Sequence, residues 1–133
     1  MYHSFESLEV WKRASRLAVE VYRALENSKD FGLRSQMTRA AVSVASNIAE
    51  GYERGFNKEF VRYLNIAKGS AAELRTQLYI AGEVGQISTE QRTKMVQETR
   101  EIASMLKGLA DARKSSAQED DTLPPADTLN LNP

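Results

Sequence analysis

Few side chains in this sequence have the types and spacing that catalysis requires. The chain has no cysteine and a single histidine, His3. This composition excludes thiol chemistry, disulfides and zinc clusters, and it leaves a carboxylate–histidine di-metal site without its imidazoles. Glu50 and Glu53 lie one helical turn apart and could share a proton, but carboxylates at that spacing mostly lie on a solvated face. We therefore expect no catalytic residue, no metal site and no cofactor.

A glycine pair in the middle of the chain has part of the pattern of a phosphate-binding loop. Gly51 and Gly55 are followed by Lys58, but Phe56 and Asn57 come directly after the second glycine. A Walker loop requires Gly-Lys-Ser/Thr at that point. The pattern instead favours a turn between two helices, in which a glycine supplies a positive φ.

Basic residues in the same part of the chain suggest binding of RNA or DNA as an alternative function. The candidate contacts are Arg34, Arg54, Lys58 and Arg62. Acidic residues are mixed among them, and the isoelectric point of about 6.6 is well below that of typical nucleic-acid-binding domains. The pattern leaves two interpretations open, a nucleic-acid contact surface and an ordinary charged helical surface.

Charge and hydropathy along the chain indicate one soluble domain with an acidic end. All 18 basic residues and 14 of the 18 acidic residues lie in residues 1–114, so this part carries a net charge of +4 and the remainder −4. The longest run of hydrophobic residues is four, and the N-terminus lacks the basic and apolar segments of a signal peptide. We expect no membrane association and a cytoplasmic location.

Helices must position these residues, because apolar side chains recur at helical spacing and no proline precedes Pro124. The first helix is predicted from Ser7 to Leu25, and residues 27–32 read as a loop. In the second helix the apolar residues repeat by four, three and four, and they are Met37, Ala41, Val44 and Ile48.

The third and fourth helices have recognisable starts. Asn57 is a predicted N-cap, and it precedes a heptad seam formed by Phe60, Leu64, Ala67, Ala71, Leu74, Leu78 and Ala81. Ser88 with Gln91 three residues later fits a capping box that opens a helix ending near Lys114. Residues 115–133 lack periodicity and contain all three prolines, which is typical of a disordered segment.

Four amphipathic helices with short links pack most simply with neighbours antiparallel. We therefore predict an all-α protein, with an up-down-up-down four-helix bundle in residues 1–114 and a flexible acidic tail in residues 115–133.

The helices carry more apolar and small surface than one bundle needs to bury. At about 100° per residue, Arg39, Ser43, Ser46 and Glu50 lie opposite the apolar stripe of the second helix. Val61 and Tyr79 lie on a second stripe of the third helix, about 120° from its heptad seam. Serine at two central positions permits another backbone to approach, so we predict contact between subunits.

Three motifs in order resemble one protein family. They are Phe5-x-x-Leu8-x-Val10-Trp11-x-x-Ala14, then Gln36-x-x-Arg39-Ala40-Ala41-x-Ser43-x-x-x-Asn47-Ile48-Ala49-Glu50-Gly51, then Ile66-Ala67-x-Gly69-Ser70-x-x-Glu73-Leu74. They resemble the bacterial four-helix-bundle proteins named after open reading frames in intervening sequences of 23S ribosomal RNA genes. The resemblance is strong over residues 5–85 and looser over the fourth helix.

The resemblance implies an antiparallel bundle that assembles as a homopentamer, without an established catalytic activity. The sequence is also similar to the accessory protein of diversity-generating retroelements, which binds a reverse transcriptase and nucleic acid through a basic surface. This chain lacks a marked basic excess, so we expect a scaffold or adaptor with a protein partner, and RNA or DNA binding as the alternative. Matching positions are Arg39, Asn47, Glu50, Gly51, Gly69, Ser70 and Glu73.

Their angular positions suggest roles for these residues. Arg39, Ser43 and Glu50 face away from the core, where they suit a subunit interface or a ligand groove. Asn47 lies at the edge of the core, where its amide could bond a neighbouring helix. Gly69 and Ser70 suit close approach of helices rather than chemistry.

Overall fold

Four long helices form the fold in the computed structural model, which describes residues 4–116 and 120–130. The helices are α1 (Glu9–Ala24), α2 (Phe31–Glu53), α3 (Asn57–Glu83) and α4 (Thr89–Ser116). Single turns of 3-10 helix occur at Phe5–Ser7 and Ala126–Leu129. The described ranges contain no strand beyond one isolated antiparallel bridge.

Contacts between α2 and α3 show that neighbouring helices are antiparallel. Ser43 on α2 meets Ser70 on α3, whereas Gly51, further along α2, lies against Tyr63, which comes earlier on α3. Each helix packs on the next along the chain, and α1 also contacts α4. The predicted all-α four-helix bundle is confirmed.

The core consists of the stripes that the sequence predicts for α2 and α3. All four apolar stripe residues of α2 are buried, and so are all seven seam residues of α3. Burial of one Leu or Phe side chain stabilises the fold by about 1.5–3 kcal/mol. The wide apolar face of α1 contributes five further buried residues, and they are Val10, Ala14, Leu17, Ala18 and Val21.

The start of α4 agrees with the sequence prediction, and the start of α2 does not. The capping box of α4 is confirmed, because the Ser88 N–H donates to Gln91 Oε1 at 2.9 Å and the Gln91 N–H donates to Ser88 Oγ at 3.0 Å. By contrast, α2 begins at Phe31, inside the predicted loop. Asp30 explains the early start, since its side chain accepts a hydrogen bond from the Leu33 N–H at 3.0 Å and caps the helix.

The turn between α2 and α3 has the predicted glycine but not the predicted cap. Gly55 has a φ of 85°, which favours glycine. The N-cap of α3 is Phe56, and Asn57 is the first helical residue. The Asn57 side chain does not cap the helix. Its amide instead contacts the C-terminal segment, where Nδ2 donates to the carbonyl oxygen of Asp121 at 3.1 Å.

The C-terminal segment differs from the predicted flexible tail. Residues 120–130, which we call the C-terminal strap, lie against the end of the bundle. The Asn57 N–H donates to Asp121 O at 2.7 Å, the Leu123 N–H donates to Gly55 O at 3.0 Å, and the hydroxyl of Tyr52 donates to Pro124 O at 3.2 Å.

Apolar spacing is the physical reason that the strap packs. Leu123, Ala126 and Leu129 recur every third residue and lie against the core, and Ala126 and Leu129 are buried in it. Ser115 and Ser116 extend α4 beyond the predicted boundary. Predicted tail residues 117–119 and 131–133 lie outside the described residues.

Candidate functional site

Polar side chains of α2 and α3 line a groove on the outside of the bundle. This α2–α3 groove has a volume of about 360 Å³ and is lined by Gln36, Arg39, Ala40, Ser43, Ser70 and Glu73. All six of these residues belong to the motifs quoted above. The antiparallel packing of α2 on α3 therefore brings two separate sequence motifs to one place.

A short chain of hydrogen bonds crosses the bottom of this groove. Asn47 Nδ2 donates to Ser43 Oγ at 3.0 Å and to Ser43 O at 2.8 Å. The hydroxyl oxygens of Ser43 and Ser70 lie 2.9 Å apart. Each of these two serines has one hydroxyl hydrogen. One of the two hydrogens lies between Ser43 and Ser70, and the other can be donated to an acceptor in the groove.

Asn47 does not make the contact to a neighbouring helix that the sequence predicts. Both of its hydrogen bonds go to Ser43 on the same helix, one turn earlier. The amide thus orients the Ser43 hydroxyl, which in turn joins α2 to Ser70 on α3.

Opposite charges line the two walls of the groove without pairing. Arg39 lies on α2 and Glu73 on α3, and both are exposed. Among the described residues, neither takes part in an ion pair within 4.0 Å. Glu73 Oε1 accepts a hydrogen bond from Gln77 Nε2 at 3.4 Å, and Gln77 is itself buried with its Oε1 unpartnered.

Further along the same face, an aromatic ring and several charges meet at the junction of α2 and α3. Glu50 Oε1 accepts hydrogen bonds from Arg54 at 3.2 Å and from the Tyr63 hydroxyl at 3.3 Å. The guanidinium carbons of Arg54 and Arg62 lie 4.9 and 4.8 Å from the centre of the Tyr63 ring. Hydrogen bonds to Glu50 and Glu59 raise the pKa of Arg54 and of Arg62, respectively. Glu50 is thus a structural partner of Arg54.

Three of the four candidate nucleic-acid contacts meet at this junction. Arg54, Lys58 and Arg62 lie around the turn between α2 and α3. Arg34 lies near the other end of α2, about 30 Å away at 1.5 Å per residue. Acidic side chains pair with Arg54 and Arg62, and the strap places Asp121 beside the backbone of Lys58. The four residues do not form one continuous basic surface.

The predicted interface residues separate into exposed and buried positions. Ser46 is exposed on α2. Tyr79 is 45% exposed, and its hydroxyl accepts a hydrogen bond from Arg100 on α4 at 2.9 Å. The prediction for Val61 is wrong, because this residue belongs to the buried core cluster. α4 packs on the side of α3 that carries Tyr79, where Arg100 meets the Tyr79 hydroxyl.

An exposed apolar row that the sequence predictions do not include runs along α3. This α3 outer stripe consists of Ile66, Gly69 and Ile80 on the helix and Val84 at its C-cap, all of which are exposed. Their positions fit steps of three and four residues along one side of a helix, the signal that could have revealed them. A Cβ added to Gly69 would meet nothing within 4 Å, whereas one on Gly51 would lie 2.4 Å from the Cβ of Tyr63.

A larger groove, of about 410 Å³, lies between α1 and α4. Arg13 crosses it, donating from Nε to Glu98 at 3.0 Å and approaching Glu101 at 3.4 Å. These bonds raise the pKa of Arg13, with the hydrogen bond to Glu98 as the largest cause. Because Arg13 and Glu98 pair across this groove, they join α1 to α4.

Residues 4–116 and 120–130 contain no group of three or more His, Cys, Asp or Glu that could hold a metal ion. None of the helices in these ranges is long and apolar enough to cross a membrane. His3 lies outside the described residues.

Comparisons with known proteins place the chain in a family. The family model described as 23S rRNA-intervening sequence protein matches residues 6–108. A solved structure from Bacteroides thetaiotaomicron VPI-5482, described as a protein of unknown function from the S23 ribosomal protein family, is similar with a TM-score of 0.71 and 26% identity. The similarity covers 76% of this chain and 97% of that chain.

A search of curated proteins found no match. Because the family model matches most of the chain, the protein belongs to the 23S rRNA-intervening sequence protein family.

Proposed function

We propose that this protein is a non-enzymatic homo-oligomeric scaffold or adaptor that assembles through the exposed faces of α2 and α3. Gly69 is the observation that carries the proposal. A glycine inside a helix destabilises it by about 0.5–1 kcal/mol relative to alanine. No neighbour among residues 4–116 and 120–130 requires a glycine at this position. A helix of a second subunit would explain it, since small residues let helix axes approach closely.

The residues around Gly69 support this interpretation. Ile66 is 41% exposed, Ile80 50% and Val84 58%, and all three lie on the α3 outer stripe. Exposed apolar patches on soluble proteins frequently mark contact sites. Ser46 on the neighbouring helix is small and exposed, so a partner helix could approach here too. We propose a homopentamer, the assembly that the family resemblance implies.

The absence of enzymatic activity is part of the proposal. The family match indicates no catalytic family. Glu50, the carboxylate that could have taken part in proton transfer, is held by Arg54 and Tyr63. We therefore propose that the protein acts by bringing partners together.

Size-exclusion chromatography with light scattering tests the assembly. The chain mass is 14.9 kDa, and we expect the wild-type particle to have five times that mass. Ser46→Lys and Gly69→Arg are expected to reduce it, because each places a long cation on the proposed contact face. Ser104→Lys is the matched control, since Ser104 is exposed on α4 and away from that face. A wild-type monomer, or unchanged mass in both face variants, would refute the proposed surface.

RNA or DNA binding at the α2–α3 junction is a second candidate function. It is supported by the meeting of Arg54, Lys58 and Arg62 around one turn. Binding of labelled single-stranded RNA and duplex DNA should weaken steeply as salt rises, because phosphate contacts release counterions. We expect Lys58→Glu to weaken binding and Lys94→Glu to change it little, because Lys94 is exposed near the start of α4, which packs beside the end of α3 and away from the junction. Affinity that does not depend on salt would contradict this candidate.

A further inference from the structure

We propose that the α2–α3 groove binds a small zwitterion whose carboxylate and ammonium groups are bonded to the same carbon, as in a free α-amino acid. The proposal goes beyond the scaffold function, and its site adjoins the proposed subunit contact because Glu73 lies between Gly69 and Ile80 on α3. It rests on the arrangement of donors and acceptors along the two walls of the groove.

The α2 wall can hold a carboxylate. Arg39 presents a planar guanidinium whose fork of N–H groups matches the two oxygens of a carboxylate. Among the described residues it has no ion-pair partner. The spare hydroxyl hydrogen of the Ser43–Ser70 pair adds a donor at the bottom of the groove. These groups would supply a charge-assisted contact and a neutral hydrogen bond to the same anion.

The α3 wall can hold an ammonium group. Glu73 lines the groove opposite Arg39 and accepts one hydrogen bond, from Gln77 at 3.4 Å. Gln77 is only 7% exposed, so its amide is a fixed support that orients the Glu73 carboxylate. The second carboxylate oxygen of Glu73 is left as an acceptor for a cation in the groove.

The separation of the two charges points to a dipolar ligand. Arg39 and Glu73 line one groove, yet no atoms of theirs come within the 4.0 Å of an ion pair. A simple anion would satisfy Arg39 but meet repulsion from Glu73, and a simple cation would meet the reverse. A zwitterion satisfies both. The groove volume of about 360 Å³ lies within the range of about 300–1,000 Å³ that small-molecule sites occupy.

Saturation-transfer NMR on the full chain tests the proposal with three probes that each carry a methyl group. The probes are L-alanine, acetate and methylammonium. We expect L-alanine to bind with a Kd of about 1 mM, a weak affinity typical of an open groove with exposed charges. We expect acetate and methylammonium each to bind at least about tenfold more weakly, because each satisfies one wall only.

Two substitutions test the two walls of the groove separately. Arg39→Gln and Glu73→Gln should each weaken L-alanine binding by about tenfold or more. Lys114→Gln and Glu26→Gln remove the same charges from exposed positions elsewhere and should leave binding unchanged. Circular dichroism shows whether each variant keeps its helices, so loss of binding is distinguished from loss of folding.

The outcomes that overturn the proposal are definite. They are no saturation of the L-alanine methyl at concentrations of about 10 mM, acetate or methylammonium binding as tightly as L-alanine, or full binding by both groove variants. Light scattering reports assembly separately. Because a neighbouring subunit on these faces would cover the groove, L-alanine binding is also measured on the Ser46→Lys variant, and absence of binding there as well overturns the ligand site without bearing on the scaffold.

Discussion

Asn130 caps the first turn of α1 from the opposite end of the sequence. Its Oδ1 accepts a hydrogen bond from the Glu9 N–H at 2.9 Å, and its Nδ2 donates to Ser7 O at 3.0 Å. The N-cap residue of α1 is Leu8, whose side chain has no oxygen to offer. The C-terminal strap thus supplies the capping group that the local sequence of α1 lacks.

We expect Asn130→Ala to lower the free energy of unfolding by about 1 kcal/mol, the usual cost of losing an N-cap side chain. Urea denaturation followed by circular dichroism measures the change. Asn27→Ala is the control, because Asn27 is exposed in the loop after α1. Equal stability of the two variants would mean that the strap does not cap α1 in solution.

Gly51 allows α2 and α3 to come into close contact. A Cβ at this position would lie 2.4 Å from the Cβ of Tyr63, so we expect Gly51→Ala to destabilise the fold by about 1–3 kcal/mol through overpacking. Gly32→Ala is the matched control, since its Cβ would lie 3.7 Å from the nearest atom, an ordinary contact. Thermal unfolding should show a lower midpoint for Gly51→Ala and an unchanged or higher one for Gly32→Ala.

Tyr79 tests whether assembly also uses the α4 side of α3. Its ring is half exposed and its hydroxyl meets Arg100. We expect Tyr79→Glu to keep the fold, because the new carboxylate can pair with Arg100, but to reduce the assembled mass by placing a charge in an apolar contact. Tyr79→Phe should assemble like the wild type. Light scattering that gives wild-type mass for Tyr79→Glu would remove this side of α3 from the interface.

The Arg13–Glu98 pair should matter more than the exposed ion pairs of this protein. Both side chains are about three-quarters buried, and the pair joins α1 to α4. We expect Glu98→Gln to destabilise the fold by about 1–2 kcal/mol, because hydrogen bonds to charged groups are the stronger ones. Asp111→Asn breaks the exposed Lys107–Asp111 pair and should change the stability less than Glu98→Gln does, because solvent screens an exposed pair. If urea denaturation ranks the two variants in the reverse order, the Arg13–Glu98 pair does not contribute more to stability than the exposed pair.

Features that depend on neighbours in sequence were predictable. The stripes of α2 and α3 and the capping box at Ser88 depend on contacts within one or two helical turns, which a linear pattern records. Helix boundaries were less predictable. The Asp30 cap starts α2 inside the predicted loop. Asn57 is not the N-cap of α3, and its side chain bonds the strap.

The candidate site was also predictable only in part from the sequence. The sequence placed Arg39, Ser43 and Glu50 on the outer face of α2, but it did not distinguish a groove from an interface. The structure separates them, since Ser43 meets Ser70 in the groove whereas Glu50 pairs with Arg54 at the junction. Val61 is buried although its spacing predicted an exposed stripe, because helical spacing does not reveal which face of a helix its neighbours cover.

The sequence by itself determined four amphipathic helices, their order and the faces that they bury, because hydrophobic periodicity acts within each helix. Only the tertiary structure decided what meets across helices. It set Arg39 opposite Glu73 in one groove, left open space beside Gly69 in the described part of the chain, and brought Asn130 to the start of α1. These relationships join residues far apart in the chain, and packing geometry rather than local pattern selects them.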